Sequence, residues 1–160
     1  MPRLSAGVLL HRARRGVVEV FIAHPGGPFW ARKDAGAWSI PKGEYTDEDP
    51  WPAAQREFCE EIGVPVPDGP RIDLGQVKQP GGKVVTVFAV GCELDIAEVC
   101  SNTFELEWPK GSGTWQEFPE VDRVGWFPVA QARAKLLMGQ REFLDRLMAD
   151  PSVTGLDEGS

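Results

Sequence analysis

Cysteine is scarce in this chain, and Cys59, Cys92 and Cys100 are odd in number, scattered and without CxxC spacing. Neither a disulfide framework nor a zinc site is indicated, and reduced cytosolic thiols fit best. Long apolar runs are also missing. No window approaches the ~18 apolar residues of a membrane span, and Met1-Pro2-Arg3-Leu4 lacks the apolar stretch of a signal peptide. The expected location is the cytoplasm, with no membrane partner. Positive charge is the third shortage: 17 Lys and Arg face 24 Asp and Glu, for a net charge near −7. Neither a generic nucleic-acid surface nor an anionic membrane attracts such a chain at long range. A phosphorylated small molecule stays open as a partner, because divalent cations bridge its charge to an acidic site.

What is present is ordinary for a globular protein. Its 160 residues, 42% hydrophobic and 26% charged, suffice for one domain with a full apolar core. Neither an internal repeat nor a linker interrupts it, so a single domain is expected over 1–150, with 151–160 polar, small and disordered. Leu4 to His11 and Val17 to His24 are β-rich runs around a basic, glycine-ended turn, and they predict a hairpin. The loop from Pro25 to Gly36 is long for a compact domain and carries Trp30, Arg32 and Lys33, an aromatic and two cations suited to stacking on a base or clamping phosphate. The alternative is a surface loop with Phe29 and Trp30 tucked into the core. Trp38-Ser39-Ile40 predicts a short strand running into a tight turn at Pro41-Lys42-Gly43. Arg71 to Gln79 and Lys83 to Leu94 predict a second hairpin around Gly81-Gly82. Asp95 to Pro119 is less periodic and predicts a lid or loop with one short strand near Phe104–Trp108. A last strand at Val124–Phe127 precedes a helix from Pro128 through Leu137 and another with Phe143, Leu144, Leu147 and Met148 on one stripe. Strands, helix, strands, helices: the order argues an α/β fold in which a mixed sheet carries packed helices. His11 and His24 fall in strand patterns and are expected to be structural.

The stretch between the hairpins breaks two rules of helix stability. Asp49 before Pro50 is a natural helix entry, and Ala53, Ala54, Phe58 and Ile62 form one buried stripe. Glu57 then lies three and four residues before Glu60 and Glu61, so like charges share a face at roughly 0.2–0.5 kcal/mol per pair. Gly63 is a plausible stop, which leaves Glu60 and Glu61 in the last turn, where the helix dipole disfavours anions. Such joint violations are expected at functional sites. The competing reading is a solvated acidic face neutralised in part by Arg56.

Joined to what precedes it, the stretch runs Gly43-x4-Glu48-x7-Arg56-Glu57-Phe58-x-Glu60-Glu61-x-Gly63-Val64. It resembles the Nudix box, whose pattern is G-x5-E-x7-R-E-U-x-E-E-x-G-U with U a bulky apolar residue. From Glu48 to Val64 the match is complete; upstream, one loop residue is missing, so either Gly43 keeps its role in a contracted turn or Lys42 takes the register position. The resemblance implies the Nudix fold, an α/β/α sandwich with a mixed central sheet, and a hydrolase that cleaves a diphosphate linkage. It implies that Glu57, Glu60 and Glu61 ligate Mg²⁺ or Mn²⁺ with a main-chain carbonyl near Gly43, while Arg56 and Glu48 support the acids. The implied catalytic group is Glu57, Arg56 and Glu60, and the general base is either a glutamate of the helix itself or one on a later loop, where Glu120 is preferred to Glu117 and a surface acid is the alternative for both. Hard carboxylate oxygens suit these ions, and cleaving a diphosphate requires neutralising two phosphoryl groups. The lead-in Trp38-x-x-Pro41-Lys42-Gly43 is similar to that of diadenosine polyphosphate hydrolases and some nucleoside triphosphate hydrolases. It suggests a nucleotide substrate, stacked by Trp30 or Trp38 and held at its phosphates by Arg32, Lys33 or Lys42; Trp38 could equally be a core residue.

The expected activity is therefore pyrophosphohydrolysis of a nucleoside diphosphate derivative or nucleoside triphosphate. Dinucleoside polyphosphates and capped RNA ends are rival substrates, and a non-catalytic nucleotide sensor is a rival class. An isomerase would call for a catalytic cysteine, but Cys59 lies inside the helix motif, where a buried structural thiol is expected. A monomer or a homodimer is compatible with the sequence.

Overall fold

A computed structural model describes residues 3–154. At its centre is β1 (Leu4–Arg14), whose run from Ser5 to Leu10 is buried on both faces, as a near-continuous apolar strand requires. It forms the predicted hairpin with β2 (Val17–Pro25). Beyond β2 lies β8 (Val121–Pro128), antiparallel. On the other side β1 runs parallel to β5 (Val84–Gly91), which forms the second hairpin with β4 (Arg71–Lys78). The sheet order is β4-β5-β1-β2-β8, with β3 (Lys42–Tyr45) also paired to β1. One parallel pair among antiparallel ones makes the sheet mixed, and helices cover both faces.

On one face α1 (Pro50–Ile62) packs Ala53, Ala54, Phe58 and Ile62, all fully buried, against Ala6, Val8, Leu10, Phe21 and Phe88. Phe58 lies 6.4 Å from Phe21, ring centroid to centroid, and burying a side chain of that size contributes about 1.5–3 kcal/mol. On the other face α2 (Val129–Lys135) and α3 (Arg141–Met148) bring Ala132, Phe143, Leu144 and Leu147 to Leu9, Val20, Ile22 and Val87. The α/β/α sandwich is thus the observed architecture. Among the described residues no helix is long and apolar enough to cross a membrane.

Four local expectations need correction. Trp38-Ser39-Ile40 is not a strand: it makes only isolated bridges, Ala23 with Ser39 and Trp38 with Leu136. The Ile40 N–H, which a ladder would need, is donated to Gln140 Oε1 at 2.8 Å. Lys42-Gly43 is no tight turn either, because it opens β3 and pairs with Gly7 and Ala6 of β1. Asp95 to Pro119 contains two strands where one was expected, β6 (Thr103–Glu107) and β7 (Trp115–Pro119), which pair only with each other; β6 alternates, Phe104 and Leu106 against Thr103, Glu105 and Glu107, whereas β7 does not. Finally, the C-terminal segment is ordered further than expected. Pro151–Thr154 forms α4, Asp150 accepts from the Ser152 N–H at 2.9 Å, and Val153 is 2% exposed within the core. The disorder expected of 155–160 falls outside the described residues.

Candidate active site

The acidic cluster is built by the end of α1 and the start of β3. Asp49 is the N-cap, with an extended backbone but no side-chain cap bond, and Pro50 follows at the first helical position. Gly63 closes the helix in the left-handed conformation, φ 86°, its N–H returning to Cys59 O at 2.8 Å, so no side chain has to bear the positive φ. Glu57, Glu60 and Glu61 therefore lie on the last turns as predicted. Opposite them stands Gly43, where an added Cβ would collide with the Glu57 carboxylate. Both candidates meet the acids: Gly43 lies against Glu57, and the Lys42 main chain contacts Glu61. The contracted connection is closed by Asp47 at φ 56°, a left-handed position that aspartate tolerates better than most residues.

Arg56 gathers three carboxylates. Its guanidinium donates to Glu48 Oε1 at 2.5 Å and Glu57 Oε1 at 3.0 Å, with Glu60 Oε1 at 3.5 Å; Glu48 above all pushes its pKa further up. Glu48 and Arg56 thus hold the positioning contacts expected of them. Burial raises the Glu57 pKa, Glu60 adds to the rise, and Arg56 opposes it. Glu61 is pushed up to about 7, chiefly by burial, with Glu120 and Glu57 adding and Lys42 pulling back. Burial lowers the Lys42 ammonium, Lys83 lowers it further and Glu61 offsets part of the fall.

Among the described residues no three acidic, histidine or cysteine side chains already converge as a ligand set; Glu48, Glu57 and Glu60 are turned toward Arg56. The donor set nevertheless fits a hard divalent cation, since it offers carboxylate oxygens beside the side-chain-free wall at Gly43. Glu60, with 55% of its side chain exposed, is free to rotate away from Arg56.

Glu120 comes next to this cluster. Its N–H donates to Asn102 O at 2.8 Å, and the Asn102 side chain donates to Glu60 O at 2.8 Å, so one asparagine ties the Glu120 loop to the acidic helix. Glu117 instead sits exposed on β7 opposite Glu105. No sequence signal marked Asn102, which reaches α1 across 42 positions.

The aromatic assignments fare differently. Trp38 is 3% exposed, its indole N–H is donated to Asp34 at 2.7 Å, and His24 and Phe127 crowd its ring at 5.3 and 5.2 Å. No open face remains for a base, so of the two roles open to Trp38 the structure favours the core and not stacking. Trp30 is half-buried against the core, with the Lys33 ammonium 5.3 Å over its ring. Arg32 is exposed, and so is Phe29, 61% accessible, so the alternative in which both loop aromatics are tucked in fails at Phe29. Lys42 alone of the proposed phosphate contacts adjoins the acids. Both histidines are buried, and His24 bridges Asp122 Oδ1 at 2.7 Å and Lys33 O at 2.6 Å. Cys59 is exposed, not buried, because it lies one position, about 100° of helix, past Phe58.

Comparison with known proteins agrees with this architecture. Residues 1–147 match the family model of the NUDIX domain. No curated protein sequence matches the chain. Among solved structures, the NUDIX domain of Shewanella oneidensis NrtR, complexed with ADP ribose, is similar at 16% identity and a TM-score of 0.59, covering 91% of this chain and 86% of that one. An Ap4A hydrolase of C. elegans is similar at 18% identity and a TM-score of 0.59, covering 91% and 96%. The ORF135 protein of E. coli is similar at 21% identity and a TM-score of 0.53, covering 92% and 91%. At these identities the likeness speaks for the fold.

Proposed function

This chain belongs to the NUDIX-domain family, whose hydrolases cleave phosphoric anhydrides and generally use divalent metal ions, and we propose that it cleaves a diphosphate linkage in a nucleotide with Mg²⁺ or Mn²⁺. The observation that carries the reading is the enclosure of Glu57 against Gly43 with Glu60 and Glu61 on the same helix end. When bound, a divalent cation would supply charge neutralisation at the phosphoryl oxygens and lower the pKa of a water. Glu57, Glu60 and Glu61 would hold it. Gly43 leaves room for a main-chain carbonyl to join them, and Arg56 with Glu48 keeps the helix-end carboxylates aimed. Glu120, tied to α1 through Asn102, takes the proton of the attacking water. The water oxygen bonds to phosphorus, the anhydride P–O bond breaks, and the leaving phosphate keeps the electron pair.

The substrate proposed is a nucleoside diphosphate derivative or nucleoside triphosphate; dinucleoside polyphosphates are the nearest alternative, supported by the likeness to an Ap4A hydrolase. Three free thiols support a cytoplasmic, reducing setting. A nucleotide sensor without turnover is the second reading, favoured by carboxylates that face Arg56 rather than one another and by the likeness to a domain complexed with ADP ribose. A phosphate-release screen of diphosphate-containing nucleotides, with and without Mg²⁺, separates them. Hydrolysis only with the cation supports the enzyme; a ligand-induced thermal shift without any release supports the sensor.

A further inference from the structure

By strand alternation alone, Val121 and Val124 would face opposite sides of β8. Both nevertheless pack in the core beneath α1, as Trp126 does. The parity changes at a bulge. His24 of β2 pairs with Arg123 and Pro25 with Val121, so Asp122 is an extra residue on β8, opposite nothing in the register. Its side chain is aimed at His24, where Asp122 Oδ1 accepts from Nδ1 at 2.7 Å. The other ring nitrogen, Nε2, donates at 2.6 Å to Lys33 O, in the loop that follows β2.

A carbonyl oxygen and a carboxylate only accept, so each contact takes a ring hydrogen and His24 carries both. The ring is fully buried, with the Trp38 ring edge-on at 5.3 Å. The charges around it are few. Arg123 lies 3.7 Å from Asp122, which favours the carboxylate form, and also stacks over Trp38. Lys135 of α2, paired with Asp34, lies over the same ring.

The chain that leaves this bulge is Glu120. Its carbonyl accepts from the Gly26 N–H at 2.9 Å, and Gly26 approaches so closely that an added Cβ would overlap Pro119 O. Its N–H is held from the other side by Asn102, and its charge is felt at Glu61. Loss of the bulge would slip the chain before Arg123 by one position on β2. A one-residue slip exchanges the faces of a strand, so Val121 would leave the α1 core and Glu120 would move with it.

We infer that His24 and Asp122 are positioning residues for the hydrolytic site: their hydrogen bond holds the β8 bulge, and the bulge sets where Glu120 stands beside the end of α1. The inference rests on the reading of Glu120 as the group that takes the proton of the attacking water.

A long-range ¹H–¹⁵N spectrum of the imidazoles reads the clamp without turnover, and the chain has two histidines to assign. His24 should show hydrogens on both nitrogens at neutral pH, and Asp122→Ala should leave it with one. His11, whose pKa is lowered by burial, should show one in both proteins. A singly protonated His24 in the wild type overturns the clamp. In steady state, with the nucleotide identified by the phosphate-release screen, Asp122→Ala should lower kcat about tenfold, the scale of a misplaced reacting group, and leave KM within about twofold. Asp122→Asn keeps an oxygen that accepts from Nδ1 and should retain most of kcat. The Asp122 side chain is 28% exposed, and the melting temperature of each variant checks the fold. A wild-type kcat for Asp122→Ala overturns the inference, as does an Asp122→Asn variant as slow as Asp122→Ala. Glu120→Gln separates the two readings. If it turns over as wild type, the assignment of the base fails and the catalytic half of the inference fails with it, while the ring hydrogens decide the clamp. If Glu120→Gln is slow and Asp122→Ala is not, the positioning inference falls alone.

Discussion

At Gly43 the space a side chain would need is taken by the Glu57 carboxylate, so the site depends on a missing methyl group as much as on its charges. Gly43→Ala must either displace Glu57 or push β3 off β1, and overpacking of this kind costs about 1–3 kcal/mol. Urea denaturation should show that loss together with weaker Mn²⁺ binding; wild-type values for both would remove Gly43 from the site. Glu61 sets the pH behaviour of the metal-free protein. Its pKa is raised from 4.5 to about 7, so its protonated form is the one the fold prefers. The stabilisation it gives is complete below about 4.5 and is lost as pH rises toward 7. With a chelator present, the stability of wild type relative to Glu61→Gln should fall between those values and level off above them. Parallel profiles for the two proteins would contradict the burial of Glu61. The role of Gly43 was legible only in part. The motif spacing left Gly43 and Lys42 as alternatives, and the fold brings both to the acids, Gly43 to Glu57 and the Lys42 main chain to Glu61.

Among the elements, α1 was the most legible because three signals coincide: an aspartate-proline entry, an apolar stripe and a glycine stop. Its acidic end makes sense once β3 and the Glu120 loop are seen to close around it. The elements read wrongly were those fixed from far away. Ile40 gives its N–H to a glutamine 100 positions later, and Trp38 spends its own on Asp34 inside a crowded aromatic corner, so neither strand nor stacking survives there. Of the β6–β7 hairpin, which stands apart from the main sheet, only β6 was legible, from the alternation of Phe104 and Leu106; the Trp115–Pro119 run has none. Asn102 is the joint between this hairpin and α1. Asn102→Ala should lower kcat about tenfold by loosening the Glu120 loop, on the scale set by misplacing a reacting group, with KM and melting temperature little changed. A normal kcat would separate Glu120 from the reaction.

Taken whole, the molecule is a sandwich whose two faces divide the work. The α1 face carries the acids, while the other face is closed by α2, α3 and the buried Val153 of α4. Fold class and the acidic motif were readable because periodicity and spacing are local properties. The central claim is that the end of α1 is a cation-dependent hydrolytic centre. Its most direct test is the phosphate-release rate of Glu57→Gln in Mg²⁺ beside wild type, with far-UV circular dichroism recorded for both. A fall of about 100-fold or more, the scale of losing one preorganised electrostatic group, with a native spectrum is the predicted result; an unaffected rate would contradict the assignment of the site.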